Sequence, residues 1–178
     1  MKNESSNGKI LNVTTTVAII VMASAMFRLL PHLPNFVPLT AMALFSGKML
    51  SDKRLAVAIV LASMIVSDAI IGFDVTTPFV YLALVISVLV GASGFKNLSS
   101  SALTIGSGSV LFFLITNFSV WLLQDIYPKS LDGLALCYTM ALPFFRNSLI
   151  ADCFYSLVFF GIMYALENRH QLRAANID

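Results

Sequence analysis

Hydrophobic positions in this chain are continuous, not alternating, and they fall into six runs, at 13–30, 38–50, 55–73, 78–95, 102–123 and 148–166. A helix of about 20 apolar residues crosses a bilayer core, and inside lipid every backbone polar group must be bonded internally. The pattern therefore predicts an all-α, polytopic membrane helix bundle with six transmembrane helices. The second run is the shortest and predicts a tilted or part-buried helix instead of a full crossing. Residues 124–147 carry one more apolar piece, "LDGLALCYTMALPFF", too short to cross and ended by Pro143. It predicts a helix lying across one mouth of the bundle. The six runs form one transmembrane domain, 13–166, between polar tails at 1–12 and 167–178, both expected to be cytoplasmic.

Composition agrees with the pattern. Of the 178 residues, 58% are hydrophobic and 11% charged, with a mean hydropathy of +0.86, whereas a soluble domain carries about 25% charged residues. A net charge of +2, from basic residues scattered along the chain, gives no footprint for nucleic acid. Cys137 and Cys153 match no zinc or redox spacing. Orientation follows from the basic residues, which favour the cytoplasmic side of short loops. With six spans, Lys2, Lys9, Lys48, Lys53, Arg54, Lys96, Arg169 and Arg173 fall on one side, against Arg28, Lys129 and Arg146 on the other. Both termini are thereby placed inside a bacterial cytoplasmic (inner) membrane. The start of the chain, two lysines and an apolar run leading to "ASA" at 23–25, also fits a signal peptide and its cleavage site; retention of the first span is the reading adopted.

Polar residues inside the apolar runs point to chemistry. "FRLLPHLPNF", 27–36, places Arg28, His32, Asn35 and two prolines at the outer mouth, where irregular backbone is tolerated only if it is buried in protein or lines a cavity. Asp68, Asn117 and Asp152 lie near the outer ends of their runs, at about 6–9 Å depth if each run marks a span, and so predict one polar layer. An intramembrane ionisable group is read as functional until its partner is named. Arg28 and Arg146 are the available counter-charges, and Arg146 and Asp152 lie on different faces of one helix. Phe36, Tyr81, Trp121, Tyr127, Tyr138, Phe144 and Phe145 supply aromatic walls around the layer. Such walls with a few convergent polar groups describe a small-molecule pocket. The substrate-binding set expected from the sequence is Arg28, His32, Asn35, Asp68, Asn117, Trp121, Tyr138, Arg146, Asn147 and Asp152. No catalytic residue, metal ligand or cofactor is assigned. His32 has no second histidine near it on the outer side, and "GSGS", 106–109, lacks the lysine of a phosphate-binding loop and suits close helix packing.

"PHLPNFVPLTAMALFSG", "SDAIIGF", "FFLITNFSVWL" and "LDGLALCYTMALPFFRNSLIADCFYSLVFFG" resemble an uncharacterised family of small bacterial six-span transport-type proteins. That family is similar to the S components of energy-coupling factor (ECF) vitamin transporters. The resemblance covers nearly all of residues 13–166. It implies a six-helix bundle with substrate held near the outer face beneath the loops joining spans one to two, three to four and five to six. It also implies partnership with an ECF-type T component and its ATPases. S components dock there through Ala-x-x-x-Ala on the first span; this sequence has Thr14 and Ala18, followed by Met22.

The function expected is membrane transport: a small vitamin-like or nucleobase-like nutrient is captured in an outward-facing pocket and moved inward. Arg28 and Arg146 would meet anionic or carbonyl groups, Asp68 and Asp152 cationic or N–H groups, and Asn117 would give directional hydrogen bonds. Trp121 and Tyr138 would stack on a ring. Two alternatives remain open at this point. One is a ligand-free scaffold or assembly subunit whose aspartates pair with the arginines. The other is an intramembrane enzyme using Asp68 and Asp152 as an acid/base pair, against which the chain lacks a Gly-x-Gly-Asp element and offers only "GFD" at 72–74.

Overall fold

The computed structural model describes the backbone of residues 2–175 and the side chains of residues 13–168. Among the described residues the chain is an all-α bundle of six helices: α1 (Lys2–Met26), α2 (Leu39–Met49), α3 (Lys53–Ile71), α4 (Thr77–Ser93), α5 (Leu98–Leu123) and α6 (Leu131–Ala175). Three stretches, Lys53–Ile71, Leu98–Leu123 and Leu131–Asn168, are long and apolar enough to cross a membrane. Val13–Leu29 and Thr77–Ser93 are shorter apolar helices. Lys2, Lys9, Arg169 and Arg173, used above in assigning sides, have side chains outside the described residues.

Local sequence explains the helix ends. After α1, Phe27–Leu29 tighten into a single 3-10 turn, and Pro31 and Pro34 forbid further helix. Asp52 caps α3 by accepting from the amides of Arg54 (2.9 Å) and Leu55 (3.4 Å), a standard way to satisfy orphan N–H groups. Gly72, at φ 108°, stops α3 and donates its amide to the Asp68 carbonyl; a positive φ of this size suits glycine alone. Asn97 and Ser100 form a capping box at the start of α5. In the α3–α4 loop, Asp74 accepts from the Thr76 hydroxyl at 2.6 Å and the Thr76 amide at 2.9 Å. Those two bonds, the hydroxyl first, hold its carboxyl below the usual carboxylate range.

The short second helix is the centre of the fold. Every residue from Thr40 to Gly47 is buried, and α2 touches all five other helices. It is apolar on all sides because it has no solvent face, which is also why its run looks like a short membrane span. Its tightest neighbour is α4, and glycines make the crossing possible. A Cβ at Gly47 would collide with the backbone of Val88, and one at Gly91 with the backbone of Leu44. Gly108 of α5 faces the Leu44 and Thr40 side chains, whereas Gly106 faces open space. The close-packing reading of "GSGS" thus applies to Gly108 only.

One expectation is overturned. Residues 131–147 do not form a separate helix across a mouth of the bundle; α6 runs unbroken from Leu131 through Pro143 to Ala175. The proline removes one backbone donor and costs about 3 kcal/mol in an isolated helix. Packing outweighs it: Phe113 of α5 meets Phe145 at a ring distance of 4.7 Å and Tyr138 at 5.6 Å, and the Tyr138 hydroxyl donates to the Leu114 carbonyl at 2.8 Å. Helix also runs into both polar tails, since α1 begins at Lys2 and α6 extends to Ala175.

Gly47→Val and Gly91→Val should each destabilise the bundle by about 1–3 kcal/mol or abolish folding, because added methyls have only backbone to displace. Gly106→Val, into open space, should change the unfolding temperature far less. Thermal unfolding of the three purified variants in detergent checks the contrast.

Candidate functional site

The polar residues expected to share one layer are divided between two places. The first joins α1, α3 and α4. Arg28, on the turn after α1, places Nη1 2.5 Å from Asp68 Oδ1 and donates to the Ser67 hydroxyl at 2.8 Å. The Tyr81 hydroxyl of α4 donates to the other carboxylate oxygen at 2.8 Å. The Asp68 side chain is 4% exposed and that of Arg28 21%. This is the one ion pair among the described residues. Removing one member of a buried pair strands the other and costs about 3–5 kcal/mol. The pair thereby locks three helices together.

The second place surrounds Asp152 on α6. Its residue is 1% exposed, and no cation among the described residues is bonded to it. Instead it accepts from the Ala41 amide at 3.1 Å and the Ser109 hydroxyl at 2.6 Å. Ala41 is the third residue of α2, whose own cap position, Pro38, offers no side-chain bond. Asp152 therefore caps α2 from another helix. The carboxylate satisfies an orphan donor and faces the positive end of the helix dipole. Ser109 simultaneously approaches the Ile105 carbonyl at 3.0 Å. The depth assigned to Asp152 from sequence is corrected here: its helix starts at Leu131, so it lies about 30 Å along α6 and not one turn into a span.

Between these groups and the first half of α6 lies a cleft lined by Asn35, Thr40, Ser109, Phe112, Phe113, Thr116, Asn117, Ala141, Phe144, Phe145 and Ser148. It is floored by the start of α2, walled by α5 and α6, and edged by the first loop. Its volume is about 70 Å³, measured for the centres of water-sized molecules. Ser109 connects the cleft to Asp152 directly. Asn35 adopts φ 57°, a left-handed conformation that asparagine tolerates better than most residues.

Of the ten residues expected to bind substrate, the cleft brings together Asn35 and Asn117, with Asp152 one hydrogen bond behind it. Asn117 donates through Nδ2 to the Phe113 carbonyl at 2.8 Å. Asn147 pins the first loop to α6 through the Pro34 carbonyl at 3.0 Å, and Ser148 reaches the Asn35 carbonyl at 3.3 Å. Trp121 donates to the Pro128 carbonyl at 2.9 Å and closes the α5–α6 loop. Tyr138 is occupied by Leu114. His32 is exposed, with Nδ1 2.6 Å from the Leu30 carbonyl. Arg146 is exposed and has no hydrogen bond or ion pair among the described residues; it does not meet Asp152. Arg28 and Asp68 hold each other away from the cleft lining.

Sequence reasoning missed Thr40, Ser109, Thr116 and Ser148. Single hydroxyl residues inside apolar runs usually bond their own helix, as Thr116 does to Phe112 at 2.8 Å, and nothing local separates these from the rest. Tyr81, counted as an aromatic wall, is a partner of Asp68 instead. Phe144 and Phe145 do line the cleft.

With this geometry described, comparison with known sequences adds one result. A profile of the family of unknown function DUF6580 matches residues 9–175. The chain belongs to the DUF6580 family. No curated protein and no solved structure matches it. The DUF6580 profile thus covers all six helices and both polar clusters described above.

Arg28→Met should strand Asp68 and lower stability by about 3–5 kcal/mol, and the double variant Arg28→Met/Asp68→Leu should recover much of the loss. Denaturation of both variants measures the difference. Asp152→Ala should leave the Ala41 amide unpaired at about 1–3 kcal/mol, while the Ser109 hydroxyl can turn to the Ile105 carbonyl. Asp152→Asn keeps an acceptor for Ala41 and should lose less, as read from the order of unfolding temperatures.

Proposed function

We propose that this DUF6580 protein is a membrane transport protein that captures a small nutrient in the cleft between α5 and α6 and moves it across the membrane. The observation that carries the reading is the cleft itself: aromatic rings and convergent neutral polar groups, in a bundle with helices of membrane-spanning length. A concave site of that composition is the usual form of a small-molecule site. A six-span arrangement with both termini inside, in a bacterial inner membrane, is the topology that goes with it, supported by the asymmetry of basic residues. The chain carries no ATP-binding motif, so ATP energy would enter through a partner; the ECF resemblance makes a T component with its ATPases the partner to look for. The first loop, tied to α6 at Asn147 and Ser148, is the segment that would move to admit substrate.

A ligand-free scaffold is the second reading, and one observation favours it. Asp68 and Asp152 are both occupied by protein groups, as a purely structural role requires. The intramembrane enzyme has less support, since the two carboxylates are bonded to different partners on different helices and share no proton.

A ligand that binds only the folded protein stabilises it by about 2.7 kcal/mol at a hundred times its dissociation constant. One member of a panel of vitamins and nucleobases should therefore raise the unfolding temperature of the purified chain by several degrees. An unchanged temperature across the whole panel would favour the scaffold over transport.

A further inference from the structure

The cleft limits what it can hold by size and by charge, and the inference drawn here rests on the transport reading and narrows it. A water molecule needs on the order of 10–15 Å³ in the measure used for the cleft and takes roughly 30 Å³ in the liquid. The 70 Å³ available therefore corresponds to about five to seven waters, or roughly 150–210 Å³ of ligand by the same conversion. That is one ring with small substituents. A fused-ring vitamin with a tail does not fit the space.

Charge restricts it further. None of the lining residues is ionisable. Arg28 is engaged by Asp68, and Asp152 by Ala41 and Ser109. α5 carries no ionisable side chain along its whole length. A charged ligand would meet no counter-charge among the residues that line the cleft, and burial of an unpaired charge is costly.

The free hydrogen-bonding capacity then selects the edge of the ring. Asn117 has spent one of its two donors on Phe113, which leaves one N–H and its Oδ1 for a ligand. Thr116 has likewise given its only proton to Phe112 and can accept but not donate. The Asn35 side-chain amide has no partner among the described residues and offers both a donor and an acceptor. Two side-chain amides that can each donate and accept, beside the acceptor of Thr116, complement a group that presents N–H and C=O side by side.

We propose that the cleft takes a single uncharged ring carrying an amide or lactam edge, with Asn117 accepting its N–H and Asn35 pairing with its carbonyl. The phenyl rings of α5 and α6 enclose the faces and apolar edge of the ring.

Two matched pairs of probes test the assignment on the purified full-length chain: nicotinamide against nicotinate, and uracil against orotate. Each pair keeps the ring and changes the charge. At least one neutral member should raise the unfolding temperature by a few degrees while its anion does not. Asn35→Gly, which accepts the positive φ, and Asn117→Ala should each remove that response. An anion that stabilises as well as its neutral partner overturns the proposal, and so does a neutral response that survives both substitutions. If all four probes are silent but a larger or charged member of the wider panel stabilises the protein, the ligand class is wrong and the transport reading stands. Silence from every compound overturns both.

Discussion

The whole arrangement depends on an eleven-residue helix that has no face turned to solvent. Helix α2 must satisfy its first amides and approach its neighbours closely while surrounded by protein. Asp152, from the far end of the sequence, supplies the cap. Glycines at 47, 91 and 108 supply the approach. An unpaired buried amide costs about 1–3 kcal/mol, a sizeable fraction of the net stability of a domain. Without α2 in place the remaining helices would enclose an empty centre, and the cleft would have no floor.

This explains why the cleft is neutral. Ionisable residues in an apolar bundle are expensive, and both interior aspartates are used to hold helices together: Asp68 joins α1, α3 and α4, and Asp152 joins α2, α5 and α6. Their charges are spent on the fold. What remains around the open space are hydroxyls, two amides and phenyl rings, groups that tolerate a low-dielectric setting and can still direct a ligand. Ser109 belongs to both systems, since one hydroxyl lines the cleft and contacts the Asp152 carboxylate.

Much of the site was legible in the sequence only as residue types. Asn117 was found because amides are rare in apolar runs, and Asn35 because it stands in the proline-rich first loop; both line the cleft. Asp68 and Asp152 were found for the same reason as Asn117, yet their roles were not. The error has a definite source. Taking Pro143 as the end of a helix set Asp152 at a false depth and made it level with Asp68, whereas the contacts of Tyr138 and Phe145 with α5 carry the helix through the proline. Arg146 illustrates the opposite case: it is a conspicuous cation, expected among the binding residues, that the fold leaves exposed.

By itself the sequence determined that the chain is helical and apolar enough for a membrane, because both properties are sums over local composition and run length. It also determined most helix ends, since the stop signals at Pro31, Gly72 and Asn97 act within a few residues. Only the tertiary structure decided that the shortest run is the core, that one aspartate pairs with Arg28 and the other caps α2, and that the open space is uncharged. Those outcomes depend on which side chains meet across more than a hundred residues of chain, as Asp152 meets Ala41, and helical periodicity carries no information about such pairings.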